Sequence, residues 1–205
     1  MKQGLPGHLR PRIHHPISTT TTTTTVSNTP ALLSSRTDWD SIDAHTAFTR
    51  SSAYKPFSKH LSAILLDPPR YYHARFPRPF EHAAGAAVTE LATFHFDGGA
   101  DAAAFEGNAA RFAETLTSSA AGLRDVSMGW AVEEVEHPEL QGGKGKAFVL
   151  AIGWTGVDAH MAYRETEAFK DSVHLLREGP EASEMVSARL LRVRLACGGV
   201  ADVGG

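Results

Sequence analysis

Two histidines occupy matching places in this chain. His45 and His160 each follow a tryptophan by six residues, Trp39 and Trp154. Each tryptophan closes an apolar stretch, and each histidine falls early in a segment with helical patterning. A helix rises only about 1.5 Å per residue, so imidazole and indole come together where strand gives way to helix. The positive end of a helix favours the neutral imidazole, which suits a general base removing a phenolic or enolic proton. His160 is the leading catalytic candidate. Tyr163, one helical turn later, would donate a hydrogen bond to substrate; Phe48, its counterpart after His45, lacks the hydroxyl. His45, Trp39, His95, Trp130 and Trp154 are candidate substrate contacts, since a flat aromatic wall suits a planar molecule. Each also has a plainer reading, the indoles as core plugs and the histidines as boundary residues bonded to a strand carbonyl.

Other constellations carry less. Gly142-Gly143-Lys144-Gly145 joins two strands instead of opening a helix and lacks the Lys-Ser/Thr ending of a phosphate loop. Glu133, Glu134 and Glu136 read as a solvated edge that discourages sheet pairing. Nothing supports a haem role for His160 beyond its being a histidine. Cys197 is the only cysteine, which excludes an internal disulfide and a cysteine-based zinc site. No metal-binding residue and no cofactor are expected.

The elements that must position these residues are clearest over residues 83–193. Ala87 to Asp97 reads as a strand ended by Gly98-Gly99. Asp101 caps a helix to about Ala120, and Val126 to Val135 is a second strand. A hairpin leads into Lys146–Trp154, a helix runs from Val157 to Leu176, and Glu184–Val193 is the last strand. The order is β-α-β-β-α-β, a ferredoxin-like α+β unit. Its third strand has Phe148, Leu150, Ile152 and Trp154 on one face and Ala147, Val149 and Ala151 on the other. Both faces need cover. Two helices cover one, so a second sheet must lie on the other, from a second copy or from elsewhere in the chain.

Part of that second copy is in the sequence. Trp39-Asp40-Ser41-Ile42-Asp43-Ala44-His45-Thr46-Ala47-Phe48 matches Trp154-Thr155-Gly156-Val157-Asp158-Ala159-His160-Met161-Ala162-Tyr163, and Ala53-Tyr54-Lys55 matches Ala168-Phe169-Lys170, at a constant offset of 115. Duplication is the economical explanation. The first repeat then has a strand over 31–39, a helix from Ser41 to about Leu65 and a strand at Tyr71–Phe76. Its first strand, first helix and second strand belong before residue 31, where a proline- and threonine-rich segment stands instead. That repeat therefore reads as truncated, by evolution or by a gene-model error.

The motif W-x3-D-A-H-x2-(F/Y) followed by A-(F/Y)-K resembles the antibiotic-biosynthesis-monooxygenase-like (ABM) domains of the dimeric α/β-barrel superfamily, especially their tandem fungal members. The resemblance spans about Ala31 to Val193. It implies an α+β barrel, made by a homodimer or an intramolecular pseudo-dimer, and a site working without cofactor. The implied activity is a cofactor-independent monooxygenase or proton-transfer catalyst of secondary metabolism, acting on an aromatic or polyketide-like molecule. The alternative is a non-catalytic barrel module that binds a hydrophobic metabolite or serves dimerisation.

Composition bounds the rest. The 205 residues carry a net charge of −3, which gives no electrostatic reason to expect nucleic acid. Residues 1–37 hold Lys2, Arg10, Arg12 and Arg36 and no carboxylate. With seven threonines at Thr19–Thr25 and little apolar pattern, residues 1–30 read as a disordered tail. Its prolines oppose the amphipathic helix of a mitochondrial transit peptide, and His8, His14 and His15 within it are weak metal candidates. The expected division is 1–30 tail, 31–82 partial repeat, 83–193 complete repeat and 194–205 flexible Gly-rich tail. No run approaches the roughly 18 apolar residues of a membrane span, no membrane partner is expected, and the lone cysteine fits a reducing, cytoplasmic setting.

Overall fold

The computed structural model describes residues 17–24, 32–39, 41–63, 70–188 and 192–193. The expected 194–205 tail lies outside the described residues, as do residues 1–16 and the side chain of Trp39. No described helix is long and apolar enough to cross a membrane.

The second half has the expected order. Strand β4 (Val88–Phe96) leads into α4 (Ala102–Ser119), capped by the Asp101 side chain, which accepts from the Ala104 N–H. Then come β5 (Leu123–Trp130), the short β6 (Val135–Glu136), β7 (Lys144–Trp154), α5 (Val157–Arg164), α6 (Glu167–Ser172), a 3-10 turn at Val173–Leu176 and β8 (Ala182–Ala188). The sheet order β5-β7-β4-β8, antiparallel throughout, is the ferredoxin-like arrangement. Strand β7 buries Phe148, Leu150, Ile152 and Trp154 under α4, α5 and α6.

The threonine run corrects one expectation. Residues Ile17–Thr24 are not part of a disordered tail; they form β1, the central strand of a second sheet ordered β3-β1-β2-β9. Here β2 is Leu32–Trp39, β3 is Arg70–Arg75 and β9 is Arg192–Val193, while α1 (Ile42–Arg50) and α2 (Tyr54–Ser62) lie between β2 and β3. Threonine is β-branched and restricts its backbone toward extended geometry, so a run of it pairs readily when two strands flank it. In the register, Ile17 stands opposite Trp39 as Val88 stands opposite Trp154. Strand β1 thus holds, between β3 and β2, the place that β4 holds between β8 and β7, where no strand was expected.

The second sheet covers the other face of β7. Tyr72, Ala74 and Phe76, from β3 and the residue after it, pack with Leu91, Val149 and Ala151 and with Phe80 and Ala83 at α3 (Glu81–Ala84). Ala147, Val149 and Ala151 are fully buried. The cover therefore comes from within the chain. The two sheets meet along a seam where Ala74 bridges Ala131 and the Val132 N–H donates to the His73 carbonyl at 2.7 Å. On the far side, β9 pairs in parallel with β2 a few residues after β8 ends. A barrel results.

The two matched segments break their helix at the same place. The Ser51 hydroxyl donates to the Phe48 carbonyl at 2.7 Å, and the Thr166 hydroxyl, 115 residues on, donates to the Tyr163 carbonyl at 2.6 Å. Local side-chain bonds of this kind compete with helical ones, so each expected long helix is two short ones.

Candidate active site

A cavity of about 610 Å3 lies between the second-half sheet and its helices, a volume usual for small-molecule sites. Phe94, Leu150 and Trp154 line it from the sheet, Phe112, Tyr163 and Phe169 from the helices. Charged groups, among them Arg164, Arg177, Glu139 and Glu181, join that lining.

His160 reaches this space from α5. Its ring stacks on the Trp154 indole with centroids 5.4 Å apart and planes 23° from parallel. The helix begins at Val157, directly after the strand ends at Trp154, which brings the two rings to one junction. The Nε2 atom lies 3.2 Å from Glu90 Oε2, and both side chains are largely buried, at 10% and 13% exposure. Glu90 also lines the cavity. A carboxylate beside an imidazole is the pairing by which an acidic residue orients a catalytic histidine in hydrolytic triads.

Two hydrogen-bond donors in the same wall lack partners among the described residues. Trp154 Nε1 and the Tyr163 hydroxyl are both buried and unpaired, and their rings lie 5.7 Å apart. A buried donor without an acceptor costs about 1–3 kcal/mol. A ligand oxygen beside each would recover that cost, once the packing that covers both atoms gives way.

The other sequence candidates fall elsewhere. Trp130 pairs with Phe148 while Trp154 lies six residues further along β7, about 20 Å away at strand rise. It packs on Phe96, Phe105 and Phe148 and donates to Glu106 Oε2 at 3.2 Å. It does not line the cavity with Trp154, contrary to expectation, because a shared strand face does not mean a shared end. His95 points to the barrel side of the sheet, stacked on His137 at 4.4 Å, and it too is absent from the cavity wall.

His45 belongs to a different cluster. Its Nδ1 lies 2.8 Å from His73 Nε2, and Glu133 accepts from both the His73 ring and its backbone N–H. Glu133 holds His73 Nδ1 as the donor, so His73 Nε2 accepts from the His45 Nδ1–H. Burial pushes the His45 pKa down, proximity to His73 adds to that shift, and Glu133 opposes it. Burial pushes the Glu133 carboxyl up, but the hydrogen bonds from His73 outweigh it and the net shift is downward. This contact ties α1 and β3 of the first half to the loop after β5.

Sequence reasoning missed Glu90, His73 and Glu133 as partners. Only Glu90 left a signal: it lies in phase with Ala92, Phe94 and Phe96 on the core-facing row of β4, where a carboxylate is out of place.

Known structures with this arrangement exist. A protein described as anthrone oxidase-like superposes with a TM-score of 0.56 at 14% identity, covering 84% of this chain and 75% of that one. A Fusobacterium nucleatum protein described as a candidate monooxygenase gives 0.50 at 11% identity, covering 84% and 75%. The likeness is one of fold. No family model matches the sequence, and no curated protein does.

Proposed function

We propose that the chain is a small-molecule enzyme, a cofactor-independent monooxygenase or related proton-transfer catalyst acting on an aromatic, polyketide-like substrate. One observation carries this reading: the unpaired Trp154 and Tyr163 donors share a cavity wall with the His160–Glu90 pair. Indole and phenol would hold two substrate oxygens, and aromatic side chains would sandwich the rings. His160 would remove an acidic phenolic or enolic proton beside them, with Glu90 balancing the charge. Dioxygen is the co-substrate; the electron-rich anion reduces it, one oxygen atom enters the substrate as a carbonyl and the other leaves as water. The fold shared with an anthrone oxidase-like protein supports the choice of chemistry.

The test is oxygen consumption and quinone formation with a hydroxyanthrone, corrected for uncatalysed oxidation. His160→Ala should lower turnover by about a hundredfold or more. Equal turnover by both proteins removes His160 from the chemistry. Saturable binding with no turnover in the unmodified protein would favour a non-catalytic module that stores or carries the ligand.

A further inference from the structure

A second cluster lies on the opposite side of the sheet from the cavity. His95 on β4, Glu184 on β8 and His137 in the turn after β6 converge there. Glu184 Oε1 is 3.5 Å from His137 Nε2, and Glu184 Oε2 is 3.9 Å from His95 Nε2. One ligand-type atom from each residue lies within 4.8 Å of the other two. We propose that His95, His137 and Glu184 form a binding site for one divalent transition-metal ion of the zinc, cobalt(II) or iron(II) class.

The spacing fits such an ion. Metal–nitrogen and metal–oxygen bonds of about 2.0–2.2 Å at tetrahedral angles set ligand atoms about 3.3 Å apart, so the separations of 3.5 and 3.9 Å, within a cluster spanning at most 4.8 Å, close on an ion by side-chain rotation alone. Two imidazoles and a carboxylate suit zinc or iron(II); calcium and magnesium prefer all-oxygen shells. Three protein ligands leave a coordination position open, as in catalytic sites and unlike closed structural ones.

The scaffold holds all three residues before any ion arrives. Thr93 pairs with Glu184 and His95 with Ala182 in the β4–β8 ladder, which sets both side chains on the barrel face. The His137 N–H donates to the Gly143 carbonyl at 3.0 Å, and its own carbonyl accepts from Leu140 at 3.2 Å. His95 and His137 are 2% and 8% exposed, and Glu184 is reached by solvent, which gives an ion a way in. One adjustment is required. His137 Nδ1 accepts from the Glu139 N–H at 3.3 Å, which leaves the proton on Nε2. Ligation through Nε2 moves that proton to Nδ1 and gives up a contact already long for a hydrogen bond.

The experiment uses the full untagged chain, stripped with a chelator and titrated with cobalt(II). One equivalent should bind, with the intense visible absorption of a low-coordinate cobalt site, and zinc should displace it. Glu184 is half exposed, so Glu184→Ala should leave the fold intact by circular dichroism while weakening binding at least tenfold. His137→Ala should do the same. A variant with His8→Ala, His14→Ala and His15→Ala removes the competing N-terminal histidines and should bind normally. The proposal is overturned by an absence of stoichiometric binding, by undiminished binding in Glu184→Ala, or by loss of binding in the N-terminal variant. None of these readouts involves the cavity, so they are independent of the oxygenase test.

Discussion

Tyr163 carries a hydroxyl for which the described fold offers no acceptor, at a position where the first repeat has Phe48. The protein therefore bears a cost in stability there, which a ligand oxygen would recover. Tyr163→Phe should raise stability to chemical denaturation by about 1 kcal/mol and weaken binding of an aromatic ligand tenfold. A variant that loses stability instead would mean that the hydroxyl is already bonded. Glu90→Gln should keep the fold and the His160 contact but lose the charge that balances the imidazolium. Turnover should fall by ten- to a hundredfold with little change in KM, as expected for an interaction made mainly in the transition state. That Trp154, His160 and Tyr163 lie together could be read from spacing alone, because a strand end and the helix following it are local in sequence. Glu90 comes from a strand over sixty residues earlier in the chain, and no local pattern could pair it with His160. Separations of 28 and 60 residues likewise hid His73 from His45 and Glu133 from His73.

Elements obey the same division. The two apolar faces of β7 already required a covering sheet, and Tyr72, Ala74 and Phe76 supply it. The threonine run was misread because its composition lacks apolar residues, whereas its strand role rests on backbone pairing to β2 and β3. The helix breaks were equally hidden, since Ser51 and Thr166 look like ordinary polar helix positions until their hydroxyls find a carbonyl. Thr166 also accepts from the Phe169 N–H at 3.2 Å as the cap of α6. Thr166→Ala should therefore cost about 1 kcal/mol, and Thr166→Ser much less, by thermal or urea melts. The seam between sheets has its own sensitive point. A Cβ on Gly129 would sit 2.0 Å from the Arg75 carbonyl oxygen, far inside contact distance and against backbone that has no room to turn. Gly129→Ala should destabilise by about 1–3 kcal/mol, and a neutral result would show that β3 does not pass β5 so closely.

At the scale of the molecule, the barrel is closed by a chain folding on itself, and the His45–His73–Glu133 cluster joins α1 and β3 to the loop after β5. Acid should loosen that contact in two stages. His45 has its pKa pushed below the usual 6.5 by burial and by His73, so the unfolded chain binds its proton first. Its contribution is complete above 6.5 and is lost as pH falls from there toward the folded value. The Glu133 carboxyl is also held below its usual 4.5, because hydrogen bonds from His73 outweigh its burial. Its contribution is complete above 4.5 and fades as pH falls further. Both slopes have one sign, so urea midpoints should decline from neutral pH downward. His45→Asn should flatten the limb beginning at 6.5 and Glu133→Gln the limb beginning at 4.5. Both groups are partly exposed, and solvent screens them, so each limb should be shallow. Parallel curves for all three proteins would mean that the two histidines and the carboxylate add nothing to holding the repeats together, and that the buried face shared by Tyr72, Ala74 and Val149 does that work alone.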